Sequence, residues 1–380
     1  MKKLLLTLTA GLFAVSSVFA FTWSGLVDNT TKGSTTDFEN FGLYQANSLY
    51  LSMAVPVSAS GNLKFSAEGL YKYNLNKTGD TSVFTNIVDL DLFKFAGKWN
   101  SDKGVAALAA GRFSYSDDSG VVFSQTSDGI NFSFEGASLR TSVYAGYTGL
   151  LNSLNVSMLA VNPDADNTQF YDLCAGYVPL GLEIACTSLF GSNTIALQGL
   201  YFLDPARNMN DKLYGTLSLK GPLASIGAYS FVTTLGAADL SDFTPMIYSK
   251  IDFTCYVAQS GIISFGAEYA SGAQFGLDPF STVTSKTATN AGGGMQLSGM
   301  ILPNITGIFV YNNLFASLSE KVVCAMPEEE LTFQGFDTTL SVLYNVLSDV
   351  QIGCDIAAFA DISASSLSYC AATLKASLSF

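Results

Sequence analysis

Beyond residue 20 this chain has no uninterrupted apolar run of the roughly 18 residues that a membrane-spanning helix needs. Yet 48% of its 380 residues are hydrophobic and only 13% are charged. Apolar content without apolar runs has to be dispersed, and here it falls at alternate positions. A period of two marks strands with one apolar and one polar face. The clearest case is 62–75, where Leu63, Phe65, Ala67, Gly69, Tyr71 and Tyr73 share a side against Asn62, Lys64, Ser66, Glu68 and Lys72. The last residues repeat it: Phe380, Leu378, Ala376, Leu374, Ala372 and Cys370 alternate with Ser379, Ser377, Lys375, Thr373 and Ala371.

The start of the chain reads as an export leader. Lys2 and Lys3 precede the apolar run Leu4 to Val18 and the small-x-small exit Val18-Phe19-Ala20. Residues 1–20 are therefore expected to be a signal peptide, and 21–380 a single domain. Apolar alternation in an exported chain suits a transmembrane barrel, in which one face of each strand meets lipid and the other the lumen. Closure also leaves no backbone group unpaired in hydrocarbon.

Turn signals divide residues 21–380 into a series of strands. The count is twenty, with sixteen to twenty as the range, in an all-β antiparallel up-and-down arrangement. Counted back from Phe380, tight connections fall at Val346–Leu347, Pro303, Ala258–Ser260, Gly221–Pro222 and Gly191–Ser192. Between them lie longer, more polar ones at Leu318–Glu330, Ser271–Ala291, Leu235–Pro245 and Asp204–Asn210. Such asymmetry places the long side outside the cell. It frays between Gly149 and Gly181, where Ser153–Val161 and Gln169–Val178 read as two further strands. Phe21–Val27, read as the first strand directly after the leader, leaves no room for an N-terminal plug.

Composition excludes much chemistry. The chain has no histidine, so a Ser-His-Asp triad, a Cys-His pair and a histidine metal ligand are all ruled out. Its six cysteines show no C-x-x-C spacing, so neither a structural metal site nor a cofactor is expected. Asp89 and Asp91 share a face and could be drawn as an acid–base pair, but solvated lumen groups are the simpler reading. Cys354 and Cys370 fall in the apolar register of the last two strands, as a disulfide or, the preferred reading, as two small lipid-facing side chains. Loss of Lys2 and Lys3 takes the formal net charge from −13 to about −15. That acidity disfavours nucleic acid as a partner.

The alternating strands, the loop asymmetry and the terminal Phe380 together resemble porin-like bacterial outer-membrane β-barrels over 21–380. The segments FTWSGLVDN (21–29), AAGRFSYSDDSG (109–120) and SGAQFGLDPF (271–280) are similar to spirochaete members of that class. The resemblance implies insertion in the lipid of the bacterial outer membrane, with Phe380 read by the barrel-assembly machinery. It also implies no enzymatic activity, passive diffusion of small polar solutes or ions, and room for oligomer formation. The alternative is a surface adhesin or structural barrel that binds a partner through its long loops. Pore-lining candidates are Lys64, Glu68, Lys72, Arg112, Glu135 and Arg140, with ordinary lumen solvation as the equal reading. Ser271–Ala291, with Phe275, Asp278 and Phe280, is the candidate constriction loop, and Ser116–Gly129 competes with it. Acidic residues Asp239, Asp242 and Glu328 to Glu330 would draw cations to the outer mouth, whereas Lys64, Lys72, Arg112 and Arg140 oppose them.

These features predict a far-ultraviolet spectrum dominated by strand, and gel migration that changes on heating. A mostly helical spectrum would refute the barrel.

Overall fold

The computed structural model describes residues 21–36, 38–58, 60–156, 158, 170–189, 191–207, 210–240, 243–257, 260–284, 288, 297–326, 330–362 and 366–380. The expected leader, 1–20, lies outside the described residues. Eighteen strands follow one another: β1 (Thr22–Thr36), β2 (Asn40–Pro56), β3 (Leu63–Thr78), β4 (Thr81–Ser101), β5 (Gly104–Ser116), β6 (Ser124–Glu135), β7 (Leu139–Tyr147), β8 (Val178–Leu189) and β9 (Asn193–Leu203). The series continues with β10 (Lys212–Leu223), β11 (Gly227–Ala237), β12 (Met246–Val257), β13 (Gly261–Ala270), β14 (Met300–Tyr311), β15 (Leu314–Ala325), β16 (Thr332–Asn345), β17 (Val350–Asp361) and β18 (Ser366–Ser379). Each pairs antiparallel with its neighbours, and β1 also pairs with β18, so the sheet closes on itself. The fold is an up-and-down barrel, as the alternation predicts. No helix among the described residues is long and apolar enough to cross a membrane.

Alternation decides what each side chain faces. On β9, Leu197 is 62% exposed, whereas its neighbours Ala196 and Gln198 are 2% and 3% exposed. Leu197 points out to lipid and the flanking pair into the lumen. Trp23, Leu51, Phe95, Ile130, Phe265, Leu318 and Leu374 continue the apolar outer face. Phe380 closes the ring: its N–H donates to the Gly25 carbonyl at 2.9 Å, and its own carbonyl accepts from Gly25 N–H at 2.8 Å. The ring lies edge-on to Trp23 with centroids 6.1 Å apart. The same ring lies against Gly25, where an added Cβ would stand 2.3 Å from it and push it aside.

Eighteen strands fall within the sixteen-to-twenty range. The two surplus strands, Ser153–Val161 and Gln169–Val178, lie mainly in the long connection 148–177, whose described residues make isolated bridges and turns. Pro303 is not a turn but sits inside β14, and the turn falls at Asn312–Asn313. The ladder explains the tolerance: β14 pairs β15 at Ile301↔Cys324 and resumes at Asn304↔Lys321, so Pro303 has no partner there to lose. Most of Leu318–Glu330 is therefore strand β15, and 326–331 is the loop. Cys354 and Cys370 pair with Leu374 and Ala358 respectively, four positions apart on the ladder, and all six cysteines are free thiols.

The barrel is uneven in height. β4 has 21 residues and β2 has 17, whereas β7 has nine. β4 pairs β5 only from Ser101↔Gly104 to Phe93↔Arg112, so Thr81–Leu92 stands clear of β5. Connection 148–177 fills that gap, with Val88 N–H donating to the Phe170 carbonyl at 3.2 Å.

Every connection at the end that carries β1's start and β18's end has two to six residues, and the longest ones, 148–177 and 271–299, lie at the other end. Tags placed in 204–211 or 238–245 should react with antibody on intact cells. Tags at 224–226 or 312–313 should react only after the outer membrane is broken, and equal labelling on sealed cells would reject this topology.

Candidate functional site: the lumen and its inward loops

Inward-facing side chains and three connections share the lumen. Connection 117–123 turns inside at Asp117, whose carboxylate accepts from the N–H groups of Phe123 and Ser119, each at 2.9 Å. Burial raises the Asp117 carboxyl above its ordinary value, and these donors oppose that shift. Asp118 reaches across to the far wall. Its N–H donates to Gln198 Oε1 on β9 at 2.9 Å, and its carboxylate accepts from Ser218 Oγ on β10 at 3.0 Å. Val122 and Phe123 are fully buried.

Connection 271–299 meets this loop inside the barrel. The N–H groups of Val283 and Thr284 donate to the Val122 carbonyl at 2.9 and 3.2 Å. Phe280 is buried and stacks on Tyr248 with centroids 5.4 Å apart. Tyr214 Oη donates to the Ser281 carbonyl at 3.0 Å, and Lys321 Nζ to that of Ala288 at 2.9 Å. Phe275 behaves differently: it is 64% exposed at a left-handed backbone position with φ of 54°. Asp278 anchors the loop through its backbone, donating to the Pro245 carbonyl at 2.9 Å and accepting from Ser271 Oγ at 2.8 Å. The described parts of connections 117–123 and 271–299 thus meet inside the barrel, whereas 124–129 of the expected loop 116–129 is the start of β6.

The result is an apolar core inside the barrel. Phe113, Val122, Phe123, Tyr144, Tyr177, Phe202, Tyr214, Met246, Tyr248 and Phe280 belong to one buried cluster. Tyr115 stacks on Tyr144 at 3.8 Å beside it. This cluster occupies the β5–β18 side, while most inward residues of β1–β4 lie outside it.

Arg112 departs from the expectation of a lumen charge. Gly111, with φ of 115°, leaves no room for a Cβ against the Phe93 carbonyl, and the strand turns there. The Arg112 guanidinium then spends all five N–H groups. It takes Asp128 in a fork at 2.8 and 2.8 Å, Asp89 at 3.1 Å, and the Leu90 and Leu150 carbonyls at 3.1 and 2.8 Å. Buried in the seam where β4 leaves β5, it ties the wall to connection 148–177. Beside it Asn155 Nδ2 donates to Asp89 at 2.9 Å and Asp91 at 2.6 Å, so the imagined acid–base pair is occupied in holding a loop.

The other candidates do face inward. Arg140 pairs with Glu183 at 2.5 Å, and Glu135 stands exposed at the short-turn rim, opposite Arg140 on the ladder. Glu68 accepts from Ser52 Oγ. Lys64 and Lys72 make no ion pair among the described residues, nor do Lys94 and Lys98, which sequence reasoning missed. The bulge opposite Glu68 and Gly69 hid them, because it lets Asp91 and Leu92 both turn inward and breaks the alternation of β4. Lys64, Lys98, Asn131 and Ser133 line a hollow of about 370 Å³ near the short-turn rim. Among the described residues no group of His, Cys, Asp or Glu could hold a metal ion.

The geometry defines an eighteen-stranded antiparallel barrel with loops folded into its lumen. No protein-family profile and no curated protein matches this sequence. Solved structures do: Pseudomonas aeruginosa OccK7 (OpdD) is similar with a TM-score of 0.66 at 12% identity, over 95% of this chain and 99% of that one. OccK2 (OpdF) from the same organism, solved in complex with glucuronate, scores 0.63 at 14% identity, over 95% and 98%. OpdQ scores 0.62 at 11% identity, over 95% and 99%. At such identity the likeness concerns the fold.

Removing the Arg112 side chain would strand buried Asp89. Arg112→Met is expected to lower barrel stability by about 3–5 kcal/mol, read as an earlier denaturant midpoint. Arg112→Lys should recover only part of this, because an ammonium lacks the planar fork. An unchanged midpoint in Arg112→Met would show that the seam does not depend on it.

Proposed function

We propose that this protein is an outer-membrane channel through which small polar solutes diffuse passively, along the wall formed by β1–β4. The carrying observation is the free positive charge on that wall. Three acidic groups elsewhere in the lumen are engaged by cations, Asp355 by Lys375, Asp252 by Lys250 at 3.2 Å and Glu183 by Arg140 at 2.5 Å, and on β4 itself Asp89 is held by Arg112 at 3.1 Å. Among the described residues Lys64, Lys94 and Lys98 make no ion pair toward the short-turn end, and neither does Lys72 higher on the same wall. Fixed charge at a narrow, weakly hydrated passage outweighs remote charge at the mouth, which salt screens over about 10 Å at 0.1 M. Solutes bearing a carboxylate are therefore favoured at the inner exit; of the acidic residues expected at the outer mouth, Asp242, Glu328 and Glu329 lie outside the described residues. Glu68 and Asp28 moderate that preference. Phe275 and Asp278 belong to the loop that narrows the passage, and Phe380 to the strand offered to the assembly machinery.

A second reading has its own support. The interior cluster around Phe123 and Phe202 packs like a protein core, and exposed Phe38, Phe41 and Phe84 sit near the tips of the tall β1–β2 and β3–β4 hairpins. A filled barrel that binds a surface partner through those tips would share both features. The likeness of 21–29, 109–120 and 271–280 to spirochaete barrels is compatible with either reading. Those segments are the closing seam and the two loops that meet in the lumen.

Planar-bilayer recording separates the two readings. A channel gives stepwise current; the filled barrel gives none. In a salt gradient, Lys64→Gln with Lys98→Gln should move the reversal potential toward cations. An unchanged potential would place selectivity elsewhere.

A further inference from the structure

The upper part of β4 is an open edge. β5 leaves it above Phe93, and connection 148–177 meets its backbone at Val88. There the Val88 N–H donates to the Phe170 carbonyl at 3.2 Å, and the Val88 carbonyl accepts from Asn152 Nδ2 at 3.5 Å. Successive residues of a strand turn their backbone groups to opposite sides. Val88 points away from β3, and so do Asn86, Phe84 and Ser82, because the register is unbroken from Leu70↔Asp89 to Thr78↔Thr81. The two-residue turn 79–80 gives the same answer. It makes Thr78 and Thr81 a pair that exchanges bonds, which directs Thr81, Val83, Thr85 and Ile87 toward β3. The N–H and C=O groups of Ser82, Phe84 and Asn86 therefore have no partner among the described residues.

These groups stand in water. Trp99 marks the lower interface on the outer face of β4, and Asn86 is thirteen residues above it. At about 2.5 Å of rise per tilted residue that is about 30 Å, beyond an apolar belt about 25 Å tall. Water satisfies such an edge, but the edge is still a template for another strand, and proteins usually block it with charge, proline or a bulge. Residues 81–87 read Thr-Ser-Val-Phe-Thr-Asn-Ile, with neither charge nor proline, and the bulge of β4 lies lower, beside Asp91. The stretch is β-branched and aromatic, with Val83 and Phe84 exposed.

We propose that this edge docks an extended segment of another protein outside the cell, which joins β4 as an added strand. Donors and acceptors recurring at every second residue, about 6.8 Å apart, are the complement of an extended backbone. The bond from Val88 to Phe170 already continues the edge with peptide backbone, and the incoming segment takes the positions above it. Phe84 on the outer face and Val83 on the inner select uncharged side chains at the matching places of that segment. The contact lies above the membrane and sends nothing through the lumen, so it holds whether the barrel conducts or is filled.

The test is residue-resolved amide hydrogen exchange of the full-length protein in lipid nanodiscs. Without a ligand, the N–H groups of Ser82, Phe84 and Asn86 should exchange freely, between protected ones at Val83, Thr85 and Ile87. The probe is an uncharged peptide of about eight residues, threonine alternating with valine, methylated on alternate nitrogens so that it keeps one bonding edge and cannot stack on itself. It should protect the three free groups. The same peptide methylated on every nitrogen should protect none, which separates strand addition from apolar adhesion. Phe84→Pro removes one edge donor and leaves the bonds to β3 intact, so it should weaken the peptide about tenfold. Heat-modifiable migration checks that this variant folds, and Ser82→Pro replaces it if it does not. Protection of Ser82, Phe84 and Asn86 in the protein alone would show the edge already covered, by its own chain or by a second copy, and would overturn the proposal. So would equal protection by the fully methylated peptide, or none from the probe at about 1 mM.

Discussion

Within hydrocarbon, a peptide N–H or carbonyl without a partner costs several kcal/mol, and neither lipid nor water offers one. Every other feature of this protein presupposes that the sheet has closed. Closure occurs where Phe380 meets Gly25, through a reciprocal pair of backbone bonds and an aromatic ring laid over a residue with no side chain. Phe380 and Gly25 are thereby one structural unit. Alternation can then sort side chains between lipid and lumen, and only a closed wall gives inward loops something to pack against.

The wall is imperfect at one place, and the repair is electrostatic. β4 runs on well beyond its last partner on β5, so the upper sheet would present an open edge. Arg112 answers it with a planar fork for Asp128 and further donors for Asp89, Leu90 and Leu150. Such a group is worth little by count and much by position, because buried Asp89 and half-buried Asp128 both depend on it. Gly111 supplies the backbone turn that points it there.

How much of this could be read from the sequence follows from what each segment packs against. β3 was legible because one face meets lipid and the other meets water, so its residues alternate cleanly. Connection 148–177 was not, since Leu151, Cys174 and Tyr177 are buried although they belong to no strand, and a loop with a buried face imitates a strand in composition. Pro303 suggested a turn because prolines usually avoid ladders, and only the skipped pairing with β15 shows why it is tolerated. Among the candidate lumen charges, Lys64, Glu68, Lys72, Glu135 and Arg140 take the inward register of their strands. Register could not reveal the seam that claims Arg112, or the bulge that hides Lys94 and Lys98.

The meeting of 117–123 with 271–299 also says something about the order in which the molecule is made. Val122 and Val283 are far apart in the chain, and the bonds between them lie inside a wall to which eighteen strands contribute. Neither loop has a partner until the strands between them have been laid down, and neither can be threaded in after the ring is sealed. The barrel's slowest contacts are thus its most central ones, and contacts of such long range are formed late because the chain entropy they consume is greatest.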